Sequence, residues 1–437
     1  MKIVTSEQMR LIEERSQRAG VDTDALMETA GLRVANRIRH HLGLIDRSSV
    51  VVLVGPGNNG GDGLVAARHL HAWGAQTTIY LCGARKADDP KLVMLQKHGP
   101  PVLHASSDDR YSQLRKTLWS AHMVVDAVLG TGHSRPIDGQ LRDVLLELTA
   151  ARINQPRLRI LALDIPTGLN ADTGAVDPAC PSADFTTTLG YPKIGLYTFP
   201  GVEYAGNVEV VDIGIPVGLD DDIRLELMTH DWAGAALPPR PLSAHKGIFG
   251  KTLVVAGSRN FVGAAYLAAT AAARSGVGLV TLAIPESLQS AVAGKAIEPT
   301  YLPLPEISAG ITSPDAAEVV LENAQTYNSL LLGCGLGQAP STRQMLKRIL
   351  YSNAPLPPTV IDADGLNFLA RSQDQRWWEK LPSRAIITPH LGEMARLSGN
   401  SLSEVEEDRI HRAVRSAAQW NKVVVLKGAL TVVASPG

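Results

Sequence analysis

The chain has 437 residues, of which 45% are hydrophobic and 19% charged, and its formal net charge at pH 7 is −1. This length predicts two or three domains of roughly 150 residues each. A nearly neutral chain with dispersed charges argues against a nucleic-acid partner and against binding to an anionic membrane surface. The sequence contains no run of about 18 apolar residues, so we predict no membrane span and no membrane partner.

The cysteines and the first residues indicate the cellular compartment. Cys82, Cys180 and Cys334 lie far apart and form no CxxC pair, so neither a disulfide framework nor a metal cluster is predicted. Isolated reduced thiols are typical of the cytosol. The opening segment MKIVTSEQMRLIEERS is amphipathic and charged, unlike a signal peptide. We therefore expect a cytoplasmic protein.

The first half of the chain predicts alternating helices and strands. Thr5 and Gln8 fit a capping box at the start of a first helix, and a second helix is predicted over residues 23–41 with an interruption near Gly31. Predicted strands follow at residues 50–54, 77–81, 123–128, 159–164 and 208–213, and predicted helices at 62–73, 89–98 and 139–150. This alternation predicts a parallel sheet covered by helices on both faces.

The second half repeats the alternation after a break. Residues 216–250 are rich in proline and polar residues and indicate an interdomain connection. A helix is then predicted over residues 264–275, and strands at 252–256, 278–284, 329–333, 359–363, 385–388, 422–427 and 430–434. Each half is therefore predicted to be an α/β layer structure with ligand loops at the carboxyl ends of its strands.

The segment GPGNNGGDG follows the predicted strand 50–54 and precedes a helix. Its glycines match GxGxxG, but the next strand does not end in the acidic residue that a dinucleotide fingerprint needs, and Gly61 stands where a Walker loop has lysine. The glycines still allow a ligand to approach the backbone, and the helix start can meet an anion. For Asp62 the alternative is simple N-capping of the helix.

Two further carboxylates lie at strand ends. Asp126 belongs to VVDAVLGTG (124–132), and a buried carboxylate there needs a hydrogen-bond donor or a cation. Asp164 belongs to LALDIPTGL (161–169) and is either a general base or a turn-forming aspartate. Since adjacent parallel strands end at one crevice, we predict one site. Its polar members are Asn58, Asn59, Asp62, Asp126, Asp164 and Thr167, whose oxygens suit a hard cation and a hydroxylated ligand.

The ordered motifs LMETAG (26–31), GPGNNGGDG, DAVLGTG and DIPTGL resemble the N-terminal YjeF domain, the NAD(P)H-hydrate epimerases, over about residues 1–215. The resemblance implies a Rossmann-like three-layer α/β/α domain that interconverts the R and S hydrates of NADH and NADPH. It implies a potassium ion held by Asn59, Asp126 and Thr167. It also implies that the hydrate is bound by Asn58, Asn59, Gly60, Gly61, Asp62, Gly130, Thr131, Gly132 and Asp164.

The chemistry of the hydrate gives Asp164 a catalytic role as a hypothesis. The hydrate carries a hydroxyl on C6 of the nicotinamide ring, and epimerisation can proceed by loss of that hydroxyl to an iminium. Water then adds to the other face of the ring. A carboxylate such as Asp164 can position or deprotonate this water.

Several polar and glycine positions in the second half also follow predicted strands. The glycines of LLGCGLG are predicted to admit a phosphate, and the lysine of LKGALT is a candidate phosphate partner. His390 and Glu393 have HxxE spacing, but two groups make a poor metal site, and a structural role in the loop is the alternative for His390. Asp362 and Asp364 lie at another strand end.

As an ordered set, the motifs from residue 245 onward resemble the ADP-dependent NAD(P)H-hydrate dehydratases, relatives of the ribokinase-like kinases. The resemblance implies removal of water from the S hydrate at the expense of ADP, with ATP and Mg²⁺ as alternatives. It implies hydrate contacts at Ala264, Gly335 and His390. It implies nucleotide contacts at Lys427, Gly428, Ala429, Leu430 and Thr431.

The sequence departs from this dehydratase pattern after KGALT, where the family continues to a GTGD-type motif with the catalytic aspartate. We therefore expect an epimerase domain over residues 1–215, a linker over 216–244, and a ribokinase-like α/β domain over 245–437 that lacks its final segment. Epimerisation is expected to persist and dehydration to be impaired. Two alternatives remain, a ribokinase-like small-molecule kinase and a non-catalytic nucleotide-binding module. The expected partners are the small molecules NADHX and NADPHX, and the expected assembly is a homo-oligomer.

Overall fold

The computed structural model describes residues 1–86, 88–96, 99–132, 135–372, 374 and 376–437, without the side chain of Gln96. The chain forms two compact units, Met1–Leu237 and Pro238–Gly437. The predicted linker 216–244 thus lies partly in each unit. Its first residues pack on the first unit, since Ile223 is buried in that core and Arg15 pairs with Asp222 at 2.8 Å.

The described part of the first unit contains a seven-stranded parallel sheet in the order β3-β2-β1-β4-β5-β6-β7. The strands are β1 (Ser49–Val54), β2 (Gln76–Leu81), β3 (Val102–His104), β4 (Met123–Ala127), β5 (Arg159–Leu163), β6 (Phe185–Leu189) and β7 (Asn207–Val211). The helices are α1 (Ser6–Arg18), α2 (Thr23–Leu42), α3 (Asn58–Ala72), α4 (Pro90–Gln96), α5 (Ser112–Ser120), α6 (Gly139–Asn154), α7 (Val202–Ala205) and α8 (His230–Ala236). The strand order reverses between β1 and β4, which is where doubly wound sheets bind ligands.

The central strand β1 is apolar throughout because helices cover both faces of the sheet. Val50 and Val52 point into a core shared with α2 and α3, while Val51 and Leu53 point into a second core with α5 and α6. The three-layer arrangement predicted from the alternating pattern is therefore confirmed.

Helix α2 runs without a break through Gly31, so the predicted interruption is wrong. A Cβ on Gly31 would lie 2.5 Å from the Cβ of Val65 on α3, and the glycine therefore allows α2 and α3 to pack closely. The capping box of α1 is confirmed. The Gln8 N–H donates to Thr5 Oγ1 at 3.1 Å, and the Thr5 N–H donates to Gln8 Oε1 at 2.9 Å.

The first residues of the chain pair with distant segments of the same unit. Lys2 forms an antiparallel bridge with Glu226, and Val4 forms a parallel bridge with Lys193. The Val4 N–H donates to the Pro192 carbonyl at 2.9 Å, and the Val4 carbonyl accepts from the Ile194 N–H at 3.0 Å. The loop that carries Lys193 is thereby fixed to the N-terminal segment.

The described part of the second unit contains an eight-stranded sheet in the order β10-β9-β8-β13-β14-β15-β16-β17, in which β17 is antiparallel to β16, and a hairpin β11–β12. The strands are β8 (Lys251–Val255), β9 (Leu279–Pro285), β10 (Thr300–Leu304), β11 (Glu306–Ser308), β12 (Ile311–Thr312), β13 (Ser329–Leu332), β14 (Thr359–Ile361), β15 (Ala385–Ile387), β16 (Val423–Leu426) and β17 (Val432–Ala434). The helices are α9 (Val262–Arg274), α10 (Gln289–Ala293), α11 (Ala316–Ala324), α12 (Pro340–Leu350), α13 (Asp364–Ala370), α14 (Leu391–Ser398), α15 (Leu402–Glu407) and α16 (Arg409–Trp420).

The predicted strands of both units are confirmed to within about two residues at each end, which is the usual uncertainty of element boundaries. The sequence analysis missed β3, β6, β10, the hairpin β11–β12 and several helices. Cys82, Cys180 and Cys334 are free thiols, as predicted. Among the described helices, none has the length and hydropathy required to cross a membrane.

Candidate functional site

The loop GPGNNGGDG connects β1 to the first turn of α3 at the point where the strand order reverses. Gly57 is the N-cap residue and α3 begins at Asn58, so the amides of residues 58–61 lie at the helix N-terminus. Asp62 lies beyond this first turn and does not cap the helix, which makes the N-capping alternative wrong. A Cβ on Gly55 would lie 1.9 Å from the Val128 carbonyl oxygen, so the loop packs tightly on the segment after β4.

Arg85 supports this loop from the segment after β2, where the sequence shows no ribose-binding acid. Its Nη1 donates to the carbonyl oxygens of Gly55 at 2.7 Å and Gly57 at 3.0 Å. Its Nε donates to Asp89 Oδ2 at 3.0 Å. The sequence analysis did not assign this residue, because its role depends on a contact between two loops.

The three residues predicted to hold a cation meet around the backbone of Leu129. Asp126 is 1% exposed, and its Oδ1 accepts from Thr167 Oγ1 at 2.6 Å while its Oδ2 accepts from the Thr167 N–H at 2.8 Å. The Leu129 N–H donates to Thr167 Oγ1 at 3.0 Å, and Asn59 Nδ2 donates to the Leu129 carbonyl at 3.0 Å. Burial raises the pKa of Asp126, against the effect of the hydrogen bonds from Thr167.

This donor set fits a monovalent cation. Within the described residues no lysine, arginine or histidine pairs with Asp126, so its buried charge has no compensating side chain. One carboxylate, one hydroxyl and one amide supply oxygen ligands with a single negative charge, and Oδ2 of Asp126 accepts only one hydrogen bond, from the Thr167 N–H. The described residues contain no cluster of three or more His, Cys, Asp or Glu that suits a transition metal.

Asp164 follows β5 in a left-handed backbone conformation, with φ of +68°, which is uncommon for a residue other than glycine. Its Oδ1 accepts hydrogen bonds from Lys193 Nζ, from Thr188 Oγ1 at 3.1 Å and from the Leu189 N–H at 3.0 Å. Its Oδ2 makes no hydrogen bond among the described residues. One carboxylate oxygen is therefore fixed and the other is free to meet a ligand.

Lys193 is the fixed cation of this site, and the sequence analysis missed it. The residue is 1% exposed, and Nζ donates to Asp164, to Thr188 Oγ1 at 3.2 Å and to the Leu189 carbonyl at 3.1 Å. These acceptors use all three ammonium hydrogens. The available signal was the lysine of YPKIGL after TTTL, but the threonines of β6 concealed the strand that places it.

Asp62 and Glu13 complete a group of acidic side chains around Lys193 and Asp164. Asp62 is 7% exposed and makes no side-chain hydrogen bond within the described residues. Burial, together with the charges of Asp164 and Glu13, raises the pKa of Asp62 well above its ordinary value. Burial also raises the pKa of Glu13, which lies on α1 and was not predicted as a site residue.

The remaining glycines of the predicted hydrate site lie in the loops after β1 and β4. A Cβ on Gly60 would lie 2.1 Å from the Gly55 carbonyl oxygen, and one on Gly130 would lie 3.4 Å from the Cβ of Asn59. These loops are therefore in contact, since β1 and β4 are neighbours in the sheet. Thr131 and Gly132 follow directly, and residues 133–134 lie outside the described residues.

In the second unit, the structure brings Ala264 and Gly335 together. Gly335 has φ of +64°, and a Cβ there would lie 2.6 Å from the Cβ of Ala264. Ser258 Oγ donates to the Gly335 carbonyl at 2.9 Å and fixes the glycine loop. Two of the three predicted hydrate contacts of this unit therefore lie side by side.

His390, the third predicted hydrate contact, is the N-cap residue of α14. Its Nδ1 accepts from the Gly392 N–H at 3.0 Å, and its own N–H donates to Glu393 Oε2 at 2.9 Å. The HxxE spacing is therefore a capping box, so the alternative structural role is present. The side chain is 55% exposed, and its Nε2 lies 3.5 Å from Glu393 Oε1.

The predicted nucleotide segment, Lys427 to Thr431, starts beside two carboxylates. Lys427 Nζ donates to Asp362 Oδ1 at 2.6 Å and lies 3.9 Å from Glu393 Oε2. Arg409 lies against the loop, with Nη2 3.4 Å from the Lys427 carbonyl oxygen. A Cβ on Gly428 would lie 2.3 Å from that same Nη2. The loop thus rests on the guanidinium of Arg409.

Two family models match the chain. The model described as YjeF-related protein N-terminus matches residues 23–195, and the model described as NAD(P)H-hydrate dehydratase matches residues 252–437. The curated bifunctional NAD(P)H-hydrate repair enzyme of Moorella thermoacetica is 38% identical over 100% of this chain and 82% of its own length. That of Thermofilum pendens is 36% identical, also over 100% of this chain and 82% of its own length.

A solved structure resembles part of the chain. The ADP/ATP-dependent NAD(P)H-hydrate dehydratase from Bacillus subtilis, co-crystallised with ATP and Mg²⁺, is 32% identical. The match covers 48% of this chain and 68% of that chain, with a TM-score of 0.40.

Proposed function

Since the chain belongs to the bifunctional NAD(P)H-hydrate repair enzymes, we propose how its residues perform the two reactions of that family. The chain is an NAD(P)H-hydrate epimerase and an ADP-dependent NAD(P)H-hydrate dehydratase, and its substrates are small molecules. The comparisons support neither the small-molecule kinase nor the non-catalytic module. We assign epimerisation to the unit Met1–Leu237 and dehydration to the unit Pro238–Gly437.

The free oxygen of Asp164 is the observation that carries the proposed epimerase mechanism. Lys193, Thr188 and the Leu189 N–H saturate Oδ1, so Oδ2 is the oxygen available to a water molecule above the ring. After the C6 hydroxyl leaves, this oxygen accepts a proton from the water that adds to the iminium. A positioned general base of this kind contributes about a hundredfold to ten-thousandfold in rate.

The glycine loops after β1 and β4 bind the hydrate itself. The amides of Asn58 to Gly61 at the start of α3 face outward with the positive end of the helix dipole, which suits the phosphates of a dinucleotide. Gly130, Thr131 and Gly132 form the second loop. The absence of side chains at the glycines lets the ligand approach the backbone.

Asn59, Asp126 and Thr167 hold a potassium ion. Its charge would offset the buried carboxylate of Asp126 and attract the oxygens of the substrate. The protein contributes the fixed arrangement, because the Leu129 backbone ties Asn59 and Thr167 together. Titrating K⁺ against the thermal unfolding of the first unit tests this assignment, since a ligand that binds only the folded form raises Tm. Asp126→Asn should abolish the K⁺-dependent rise in Tm. Na⁺ at equal ionic strength is the control that gives the baseline Tm.

In the second unit, Ala264 and Gly335 form the surface against which the hydrate packs, and the half-exposed side chain of His390 contacts it. Residues 427–431 bind the nucleotide, which is ADP, with ATP and Mg²⁺ as the alternative. The return of reduced-cofactor absorbance on addition of ADP to the S hydrate measures dehydration.

The epimerase assignment is tested with purified chain, potassium and separated R and S hydrates, followed by chromatography. Asp164→Asn should lower the rate at least about a hundredfold, as expected for a general base. Asp108→Asn is the matched control, because Asp108 is also buried but bonds Tyr80 and the start of α5 instead. An Asp164→Asn rate within a factor of about two of the wild type would remove the catalytic role from Asp164.

A further inference from the structure

Two buried aspartates of the first unit have opposite electrostatic surroundings. Asp164 accepts a hydrogen bond from the buried ammonium of Lys193 and two more from neutral donors. Asp62 is equally buried, yet within the described residues no donor reaches its carboxyl group. Such a difference between neighbouring carboxyl groups is how enzymes separate an acid from a base.

The groups around Asp62 favour its protonated form. Burial is the main cause of its raised pKa, and the negative charges of Asp164 and Glu13 act in the same direction. Lys91 on α4 and Lys193 oppose them, but Lys91 is itself paired with Asp24 at 2.9 Å. Lys193 is likewise fully engaged by its acceptors.

The strand order leaves room for a ring between the two carboxyl groups. Asp62 belongs to the helix that follows β1, Asp164 follows β5, and β4 lies between these strands. Neighbouring strands are about 4.8 Å apart, so the axes of β1 and β5 are separated by about 10 Å. A ligand ring above the end of β4 therefore lies between the two chain segments that carry Asp62 and Asp164.

We propose that Asp62 is the general acid of the epimerase and acts opposite Asp164, a proposal that rests on the epimerase function above. Asp62 donates its proton to the C6 hydroxyl. The C–O bond then breaks, water leaves, and the lone pair of the ring nitrogen forms the C=N bond of the iminium. A water molecule adds to the other face and passes a proton to Asp164. The products are the other epimer, ionised Asp62 and protonated Asp164, with no net proton gained or lost.

The reverse reaction starts from the products of the forward one. The second epimer takes a proton from Asp164 and returns one to Asp62, as microscopic reversibility requires. Lys193 is the positioning residue of this pair. It holds Oδ1 of Asp164 and leaves Oδ2 to meet the ligand.

The pH dependence of kcat/KM tests the pair. The wild type should show a bell-shaped profile, because Asp164 must be ionised and Asp62 protonated. The profile of Asp62→Asn should lack the high-pH limb. Its kcat should fall at least about a hundredfold, while its KM stays within about threefold of the wild-type value. Lys193→Met should lower kcat with little change in KM, and Lys193→Arg should restore part of kcat. A high-pH limb that persists unchanged in Asp62→Asn would overturn the proposal.

A stability measurement tests the proton on Asp62 without using activity. A carboxyl group whose pKa is raised on folding gives its full stability below its unfolded value of about 4. That stability is lost as the pH rises from this value through the folded pKa. Asp62→Asn has no ionisable group at this position and so lacks this pH-dependent loss of stability. The Tm of the variant minus the Tm of the wild type should therefore increase from pH 5 to pH 8. Parallel Tm curves over this range would show that Asp62 is ionised and is not the acid.

Asp108→Asn is the matched control for this measurement. Burial favours the neutral form of Asp108, but hydrogen bonds from the Gln113 and Leu114 N–H groups outweigh it and lower its pKa. Its contribution is therefore present at neutral pH and lost as the pH falls below about 4, the opposite sign to Asp62. If the wild type epimerises nothing but the Asp62 stability shift is present, the epimerase assignment fails. If epimerisation is normal and the shift is absent, only the acid assignment fails.

Discussion

Replacing Lys193 with methionine should destabilise the first unit strongly. The substitution removes a 1% exposed ammonium and leaves the carboxylate of Asp164, itself 8% exposed, without its cation. Removing one partner of a buried ion pair typically costs about 3–5 kcal/mol. Because Thr188 and the Leu189 N–H still donate to Asp164, we expect a cost at the lower end, about 3 kcal/mol.

Differential scanning calorimetry measures this loss as a shift of the transition that belongs to the first unit. For a unit of this size a change of 1 kcal/mol moves Tm by about 2–4 °C, so the expected decrease is about 6–12 °C. Lys422→Met is the matched control. Lys422 is also buried, at 6% exposed, but it lies in the second unit, and within the described residues no carboxylate pairs with it. The control should leave the first transition unchanged.

A double-mutant cycle separates the ion pair from the loss of packing. Lys193→Met combined with Asp164→Asn removes both charges, so the double variant should be more stable than the sum of the single effects by at least about 1.5 kcal/mol. Additivity within about 0.5 kcal/mol would refute the reasoning, because it would mean that Lys193 contributes through its aliphatic stem alone.

Three further substitutions test packing and capping contacts. Gly31→Ala places a Cβ 2.5 Å from the Cβ of Val65 and should destabilise the first unit by about 1–3 kcal/mol in urea unfolding. Gly428→Ala collides with Arg409 and should weaken ADP binding in calorimetric titration while epimerisation is unchanged; wild-type affinity for ADP would contradict the proposed loop. Thr5→Ala removes the capping box of α1 at a cost of about 1 kcal/mol, whereas Thr5→Ser should be nearly neutral in the same unfolding measurement.

The sequence predicted the position of the first candidate site from polar residues that follow strand ends. Runs such as VVVLV identified the strands, and the rule that parallel strands end at one crevice placed Asn59, Asp126 and Thr167 together. The contacts at Leu129 agree with this placement. The roles assigned to these residues stay proposals that the cation titration tests.

The residues that the sequence analysis missed all act through tertiary contacts. Lys193 follows β6, whose threonines resemble a polar loop although all are buried. Glu13 belongs to a surface-like amphipathic helix, and Arg85 contacts carbonyl oxygens of a loop thirty residues earlier. His390 shows the opposite limit, since HxxE spacing alone does not separate a ligand site from a capping box. Spacing identifies neighbours along a helix, not partners across a fold.

The bridges made by the first residues have a consequence for synthesis of the chain. Lys2 pairs with Glu226 across a sequence separation of 224 residues, and Val4 holds the loop of Lys193. During translation these residues leave the ribosome well before their partners, since Glu226 follows Lys2 only after 224 residues. At about 5–20 residues per second, the N-terminal segment waits some tens of seconds without its partners. The epimerase site is therefore completed late, and a chaperone that binds this segment would delay the site without preventing the sheet from forming.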